Sequence, residues 1–244
     1  MRSASARALT AAAASLVAGS LAGCVTTEQK AARLRLNSAR ILAGQTGTRV
    51  TVAGRAVAVT RLALVLSGGR TAFAVTVHNP GVRAVSDLPI SVGYTAPRRR
   101  RVYLNAGTDI GYYAAHLPAI AARASLTWVY TGRRRLPPGA HPFAIVGGAP
   151  AVSGATVGSP PLIRTRIRSA GGGVVAVSVR NLSGVPQYQL PVYAIAERDG
   201  RPVAAGAGTV QQLAGDTAAT LRVHLLGRTG RASVRVQTSA TIFN

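Results

Sequence analysis

Few side chains in this 244-residue chain suit covalent or acid–base chemistry. The carboxylates are Glu28, Asp87, Asp109, Glu197, Asp199 and Asp216, and only Glu197 and Asp199 lie close together. A paired acid–base mechanism needs two carboxylates held in one cleft. These two flank an Asp-Gly turn signal, where a solvated turn is the simpler reading. The histidines His78, His116, His141 and His224 are scattered, without the spacing of a metal site. Met1 is the only methionine, so no Met-His cluster for copper exists. Neither G-x-S-x-G nor H-E-x-x-H occurs. The expectation is a non-enzymatic protein with no cofactor and no metal. An enzyme would have to assemble its site from distant residues, and a deep pocket holding His116 near Asp109 is the arrangement that would indicate one.

Charge is the more pronounced chemistry. Lys+Arg number 29 against 6 Asp+Glu, a formal net charge of +23. Two runs stand out: Arg98, Arg99, Arg100 and Arg101, then Arg133, Arg134 and Arg135. Arginine suits bidentate capture of phosphate or carboxylate, so both runs are candidate anion-binding loops for anionic lipid or cell-wall polymer. A competing reading makes them solvated runs, enriched in arginine by GC-rich codon usage; Lys30 is the only lysine. No helix-turn-helix, zinc-finger or aromatic RNA-binding pattern accompanies the charge.

The single cysteine, Cys24, has no disulfide partner in the chain. It follows a basic start carrying Arg2 and Arg7, an apolar run from Ala8 to Ser20, and Leu21-Ala22-Gly23. A basic segment, a short apolar stretch and small residues before a cut make a secretory signal over residues 1–23. Such a run is too short for a membrane span, which needs roughly 20 apolar residues. Leu21-Ala22-Gly23-Cys24 resembles the lipobox of bacterial lipoproteins. The resemblance implies that the Cys24 thiol carries a diacylglyceryl group, with palmitate-type chains, and that cleavage falls just before it. The implied location is the cell envelope, lipid-anchored outside the cytoplasmic membrane, or at the outer membrane of a Gram-negative cell. That location removes nucleic acid from the expected partners. Losing residues 1–23 takes away two arginines and no acid, leaving a charge of +21 against the full chain's +23.

The elements that would position these residues show themselves through a repeat. Val75-Thr-Val-His-Asn79 recurs as Val177-Ser-Val-Arg-Asn181, and Leu88-Pro89-Ile90 as Leu190-Pro191-Val192, both at one offset. Within each copy apolar residues alternate with polar or small ones, the period of a half-buried strand. Phe73, Val75 and Val77 point inward with Leu126, Trp128 and Tyr130, and Ala74, Thr76 and His78 are expected in solvent. In the second copy Val175, Val177 and Val179 point inward against outward Ala176, Ser178 and Arg180. Leu221, Val223 and Leu225 face inward with His224 outward. Turn signals at Ser67-Gly68-Gly69, Asn79-Pro80-Gly81, Pro137-Pro138-Gly139 and Asp199-Gly200 divide the runs.

The pattern V-x-V-x-N, then a loop, then L-P-[I/V], resembles bacterial immunoglobulin-like and cell-adhesion-type domains, although the Cys…Trp…Cys of antibody domains is missing. The expected fold is all-β: two tandem immunoglobulin-like β-sandwiches after a cleaved signal and a short N-terminal segment. Residues 24–47 form the anchor segment, helix or strand; 48–146 the first sandwich; 147–161 a linker; 162–244 the second sandwich. If the strands of the first copy alternate in direction, Ser67–Arg70, Arg98–Arg101 and Arg133–Arg135 meet at one end. The expected function is a lipid-anchored envelope lipoprotein whose domains bind or space envelope components, with no strong pocket. An accessory subunit of an export or cell-wall assembly complex is the alternative, pairing a sheet edge with an envelope protein.

Overall fold

Strands that are apolar on alternate positions each have a face to bury, and many of them in one chain must stack as sheets. The computed structural model describes residues 49–107, 110–148 and 159–242 of the protein. The signal, Cys24 and the segment 24–47 lie outside the described residues, as do Asp109 and 149–158 of the linker. The protein is all-β, with antiparallel sheets packed face to face.

The first half runs β1 (Ala58–Ser67), β2 (Arg70–His78), β3 (Leu88–Thr95) and β4 (Arg101–Tyr103). It continues with β5 (His116–Leu117), β6 (Ser125–Gly132) and β7 (His141–Val146). One sheet has the order β1-β2-β6; in the other, β3 pairs with β7 on one side and with β4 and β5 on the opposite side. Phe73, Val75, Val77, Leu126 and Trp128 close this core against Leu88, Ile90 and Val92. Each fully buried side chain of this size contributes roughly 1.5–3 kcal/mol. Trp128 also finds a partner for its ring N–H, donating to the Tyr113 carbonyl at 2.8 Å.

The second half runs β8 (Ile163–Gly171), β9 (Val174–Asn181), β10 (Gln187–Arg198) and β11 (Arg201–Leu213). It ends with β12 (Ala218–His224), β13 (Leu226–Gly227) and β14 (Ser233–Thr238). Its sheets are β12-β9-β8 and β13-β11-β10-β14. Val175, Val177, Val179 and Val223 pack on Leu190, Val192, Ala194 and Val210. The β1-β2-β6 order of the first half therefore returns as β8-β9-β12, with Leu-Pro opening or entering the facing strand each time.

The repeated asparagines hold the same turn. Asn79 is fully buried; its Nδ2 donates to the Arg83 carbonyl at 2.8 Å and its Oδ1 accepts from Gly81 N at 2.9 Å. Asn181 is fully buried too, with Nδ2 on the Val185 carbonyl at 2.8 Å and Oδ1 accepting from Ser183 N at 3.1 Å. Each side chain ties its own loop and then reaches a second one, Ile120 and Ala121 in one half and Ala214 in the other. The β1–β2 and β8–β9 turns match as well. Gly68-Gly69 and Gly172-Gly173 have positive φ at both positions, as does Asp199-Gly200 in the β10–β11 hairpin. Two-residue turns of the right hand for twisted strands require this.

One expectation fails. Ala74 is 2 % exposed and Thr76 half-buried, so this face of β2 does not meet solvent. The β10–β11 sheet covers it: Tyr193, Ile195 and Ala205 join the first core, beside Ala72 and Val65. The β1-β2-β6 sheet is thus buried on both sides, and the molecule is a stack of four sheets. Further bonds cross this contact. Thr127 N donates to Gln237 Oε1 at 2.8 Å and Ala119 N to the Ala240 carbonyl at 3.0 Å. Glu197 is not merely part of a solvated turn, because Arg61 of β1 reaches it at 3.2 Å and also donates to the Gly200 carbonyl. His78 is half-buried, its Nδ1 3.0 Å from Ser125 Oγ. In the second half the expected outward set is open, with Arg180, Arg222 and His224 exposed.

Candidate functional site

Two of the three basic turns of the first half, 67–70 and 133–135, lie at the same end of one sheet, and the third follows β3 in the facing sheet. β1 pairs Ser67 with Arg70, β2 pairs Thr71 with Gly132, and β3 pairs Thr95 with His141. Arg133–Arg135 leave from Gly132, and the Arg134 carbonyl accepts from Thr71 Oγ1 at 2.9 Å. Tyr130, near the end of β6, donates its hydroxyl to the Leu104 carbonyl at 2.6 Å, while Leu104 N donates to Val92 near the end of β3. These bonds join the two sheets through Leu104, and Arg98–Arg101 follow shortly after the last residue of β3, Thr95.

Not all these arginines are equally available. Arg101 lies over the Phe143 ring at 5.6 Å and donates to the Thr51 carbonyl at 3.3 Å, a cation–π contact that commits it to the fold. Arg99, Arg100, Arg133, Arg134 and Arg135 are exposed. Both ion pairs among the described residues go to Glu197, so none of these five has an acidic partner there.

Arg133 and Arg134 do more than cap a strand: they rim a cleft of about 910 Å³ between the halves. One wall is β6 from Val129 with residues of 103–107 and 110–114; the other is β10 and β11 around Gln189, Tyr193, Thr209 and Gln211. Arg49 adds a third cation. The two walls of the cleft come from segments more than fifty residues apart in the chain, so no local pattern announces it.

Tyrosines line the base. Tyr113 donates its hydroxyl to the Thr241 carbonyl at 3.3 Å. Tyr112 packs edge-on against Tyr113, stacks on His116 with centroids 4.1 Å apart, and hydrogen-bonds Asp87. Burial, and after it the Asp87 charge, pushes the phenols of Tyr112 and Tyr113 well up. Burial also raises Tyr130, against the opposing pull of nearby Arg134. The Tyr193 hydroxyl is wholly buried without a hydrogen-bond partner among the described residues. The lining thus combines tyrosine rings with the cations of Arg49, Arg133 and Arg134, groups suited to aromatic contact and to anion binding.

The other candidates separate. His116 does not line the cleft; burial lowers its pKa, opposed by a hydrogen bond with the Tyr112 carbonyl. Asp109, its expected partner, lies outside the described residues. His141 is exposed at the start of β7. Among the described residues no three His, Cys, Asp or Glu side chains gather as metal ligands.

No protein-family model matches this chain, and no curated protein matches it either. The functional reading therefore rests on the cleft, the basic pole and the residues around Cys24.

Proposed function

We propose that the protein is a non-enzymatic, lipid-anchored cell-envelope lipoprotein. Its two tandem immunoglobulin-like sandwiches, 48–146 and 162–244, bind anionic envelope components. Cys24 carries the lipid, and two or more acyl chains at roughly 0.8 kcal/mol per buried methylene anchor stably where one would not. What supports the binding role is the exposure of Arg99, Arg100 and Arg133–Arg135 without acidic partners among the described residues, with Arg133 and Arg134 lining the interdomain cleft.

Position supports anionic lipid as the pole's ligand. Traced backward, the chain passes Gly54, bonded to the Val146 carbonyl, then Val50, bonded to Ser91 Oγ, and then Arg49 at the cleft. Arg49 lines the same cleft as Arg133 and Arg134, and in sequence it follows the segment that begins at Cys24. Each basic side chain near an anionic leaflet adds about 1 kcal/mol, screened by salt.

The test replaces Arg98–Arg101 and Arg133–Arg135 by serine in the chain without its lipid and measures flotation with phosphatidylglycerol vesicles. Binding should weaken at least roughly a hundredfold at low salt and lose most of its salt dependence. Unchanged, salt-insensitive binding would refute the role of the pole. Cys24→Ser should separately release the protein from the membrane fraction of cells, and retention would refute the anchor.

A further inference from the structure

The repeat presents one surface twice, and the two copies differ in what covers it. In the first half, the row Ala63–Ala74–Val129 crosses β1, β2 and β6 and lies under the β10–β11 sheet. The matching row in the second half is Ser169–Ala176–Arg222 across β8, β9 and β12. Neighbouring rows are Arg166–Ser178–Thr220 and Arg164–Arg180–Ala218. Arg164, Arg166, Arg180 and Arg222 are exposed, as is the bulge residue Arg168. The three strands carry no Asp or Glu.

We infer that the outer face of β8-β9-β12 is a docking surface for a linear, phosphate-bearing polyanion. Arg164 and Arg180 are direct cross-strand neighbours. Like charges so placed destabilise a sheet, and no acid on the face offsets them. Alternate residues along a strand stand roughly 6.7 Å apart and adjacent strands about 4.8 Å, so the guanidinium groups form a two-dimensional array. Such an array meets successive phosphates of an extended chain, each able to take a bidentate arginine. The flanking Ala176, Ser178, Ala218 and Thr220 are small, leaving the guanidinium groups as the parts that reach outward. The occupant is a polymer and not the membrane because of direction. The basic pole lies at strand ends, whereas this face looks out across the stack, so one flat bilayer does not meet both.

The polymer's place in the envelope rests on the function proposed above; the affinity of the face does not. The experiment measures binding of inorganic polyphosphate to the unlipidated full chain by calorimetry, over a range of salt. Arg164, Arg180 and Arg222 are replaced together by serine and compared with a charge-matched control, Arg198, Arg201 and Arg228 to serine. The face variant should bind roughly tenfold or more weakly, with the log–log salt slope reduced by about 2, at ~0.7 per lost phosphate contact. The control should stay within about twofold of the wild type on the same scale. Equal weakening by both triples would overturn the inference, since net charge alone would then explain the binding. So would an equal loss of affinity for phosphatidylglycerol vesicles in the face variant, which would make a lipid surface the occupant. The seven-arginine pole variant, assayed alongside, separates failure of this face from failure of the pole.

Discussion

Asn79 and Asn181 carry the firmest quantitative prediction, because two unrelated-looking loops are held by the same bonds. Asn79 donates to carbonyls of Arg83, Ile120 and Ala121 at 2.8, 3.1 and 3.1 Å and accepts from Gly81 N at 2.9 Å. Its two amide protons serve three acceptors, so truncation removes two donated bonds and one accepted bond. At about 1 kcal/mol net each, Asn79→Ala should cost about 3 kcal/mol; the Ile120 carbonyl keeps its bond from Val85 N. Asn181 donates to Val185 and Ala214 and accepts from Ser183 N and Oγ. Counted the same way, the four bonds of Asn181 put Asn181→Ala at about 4 kcal/mol, and the two values should agree within about 1 kcal/mol. Asn→Asp at either place should be worse than alanine, since a carboxylate faces carbonyl oxygens and loses both donors. Urea unfolding reads the effect, with Trp128 fluorescence following the first core and far-ultraviolet circular dichroism following both. By calorimetry the shift is about 6–12 °C for a chain of this size. A cost below about 0.5 kcal/mol at one asparagine with a full cost at the other would refute the equivalence of the two turns.

Three further outcomes follow from burial and charge. Tyr193→Phe removes a buried hydroxyl that has no partner among the described residues and should be neutral or stabilising by up to about 2 kcal/mol; a loss above about 1 kcal/mol in the same urea assay would mean the hydroxyl is satisfied. Val129→Arg, which writes the second copy's residue into the covered face, should cost about 3–5 kcal/mol, while Arg222→Val should stay within about 0.5 kcal/mol; similar costs would show that the two faces are not equivalently placed. His116 has a pKa held below its ordinary 6.5 by burial, so protons favour the unfolded chain. Stability should be full above about pH 6.5 and fall as the pH drops below it, and His116→Gln should flatten that decline; an unchanged pH profile would refute the burial argument.

Much of the fold is legible in the chain because its signals are local. Phe73, Val75 and Val77 alternate as strand residues do, and Gly68-Gly69 and Asp199-Gly200 permit only a few turns. The paired Asn79 and Asn181 expose the repeat. The burial of Ala72 and Ala74 is not legible. In a chain so rich in alanine, a small residue that lets a second sheet approach looks the same as one facing water. The covering residues, Tyr193, Ile195 and Ala205, lie more than a hundred positions away. The arginine half of the candidate site shows in the sequence as charge runs. Its tyrosine half does not, because Tyr112, Tyr113 and Tyr130 line one cleft only when the residues around Tyr113 pack against β6.

The different dressing of one repeated face also decides what each copy can accept. A sheet face lined by Ala63, Ala74 and Val129 accepts another sheet, whereas a sheet packed on Ser169, Ala176 and Arg222 would bury guanidinium groups without partners. A repeat face open to water needs polar residues for solubility. Solubility alone is served best by interspersed charges of both signs; arginine paired with glutamate would keep the face soluble without the Arg164–Arg180 repulsion. The face instead carries one sign only, on three adjacent strands. A GC-rich genome would account for arginine in place of lysine, but not for the absence of acids, since Asp and Glu codons are open to it. Exposure therefore explains why the face is polar, and capture of a polyanion explains why its charge has a single sign.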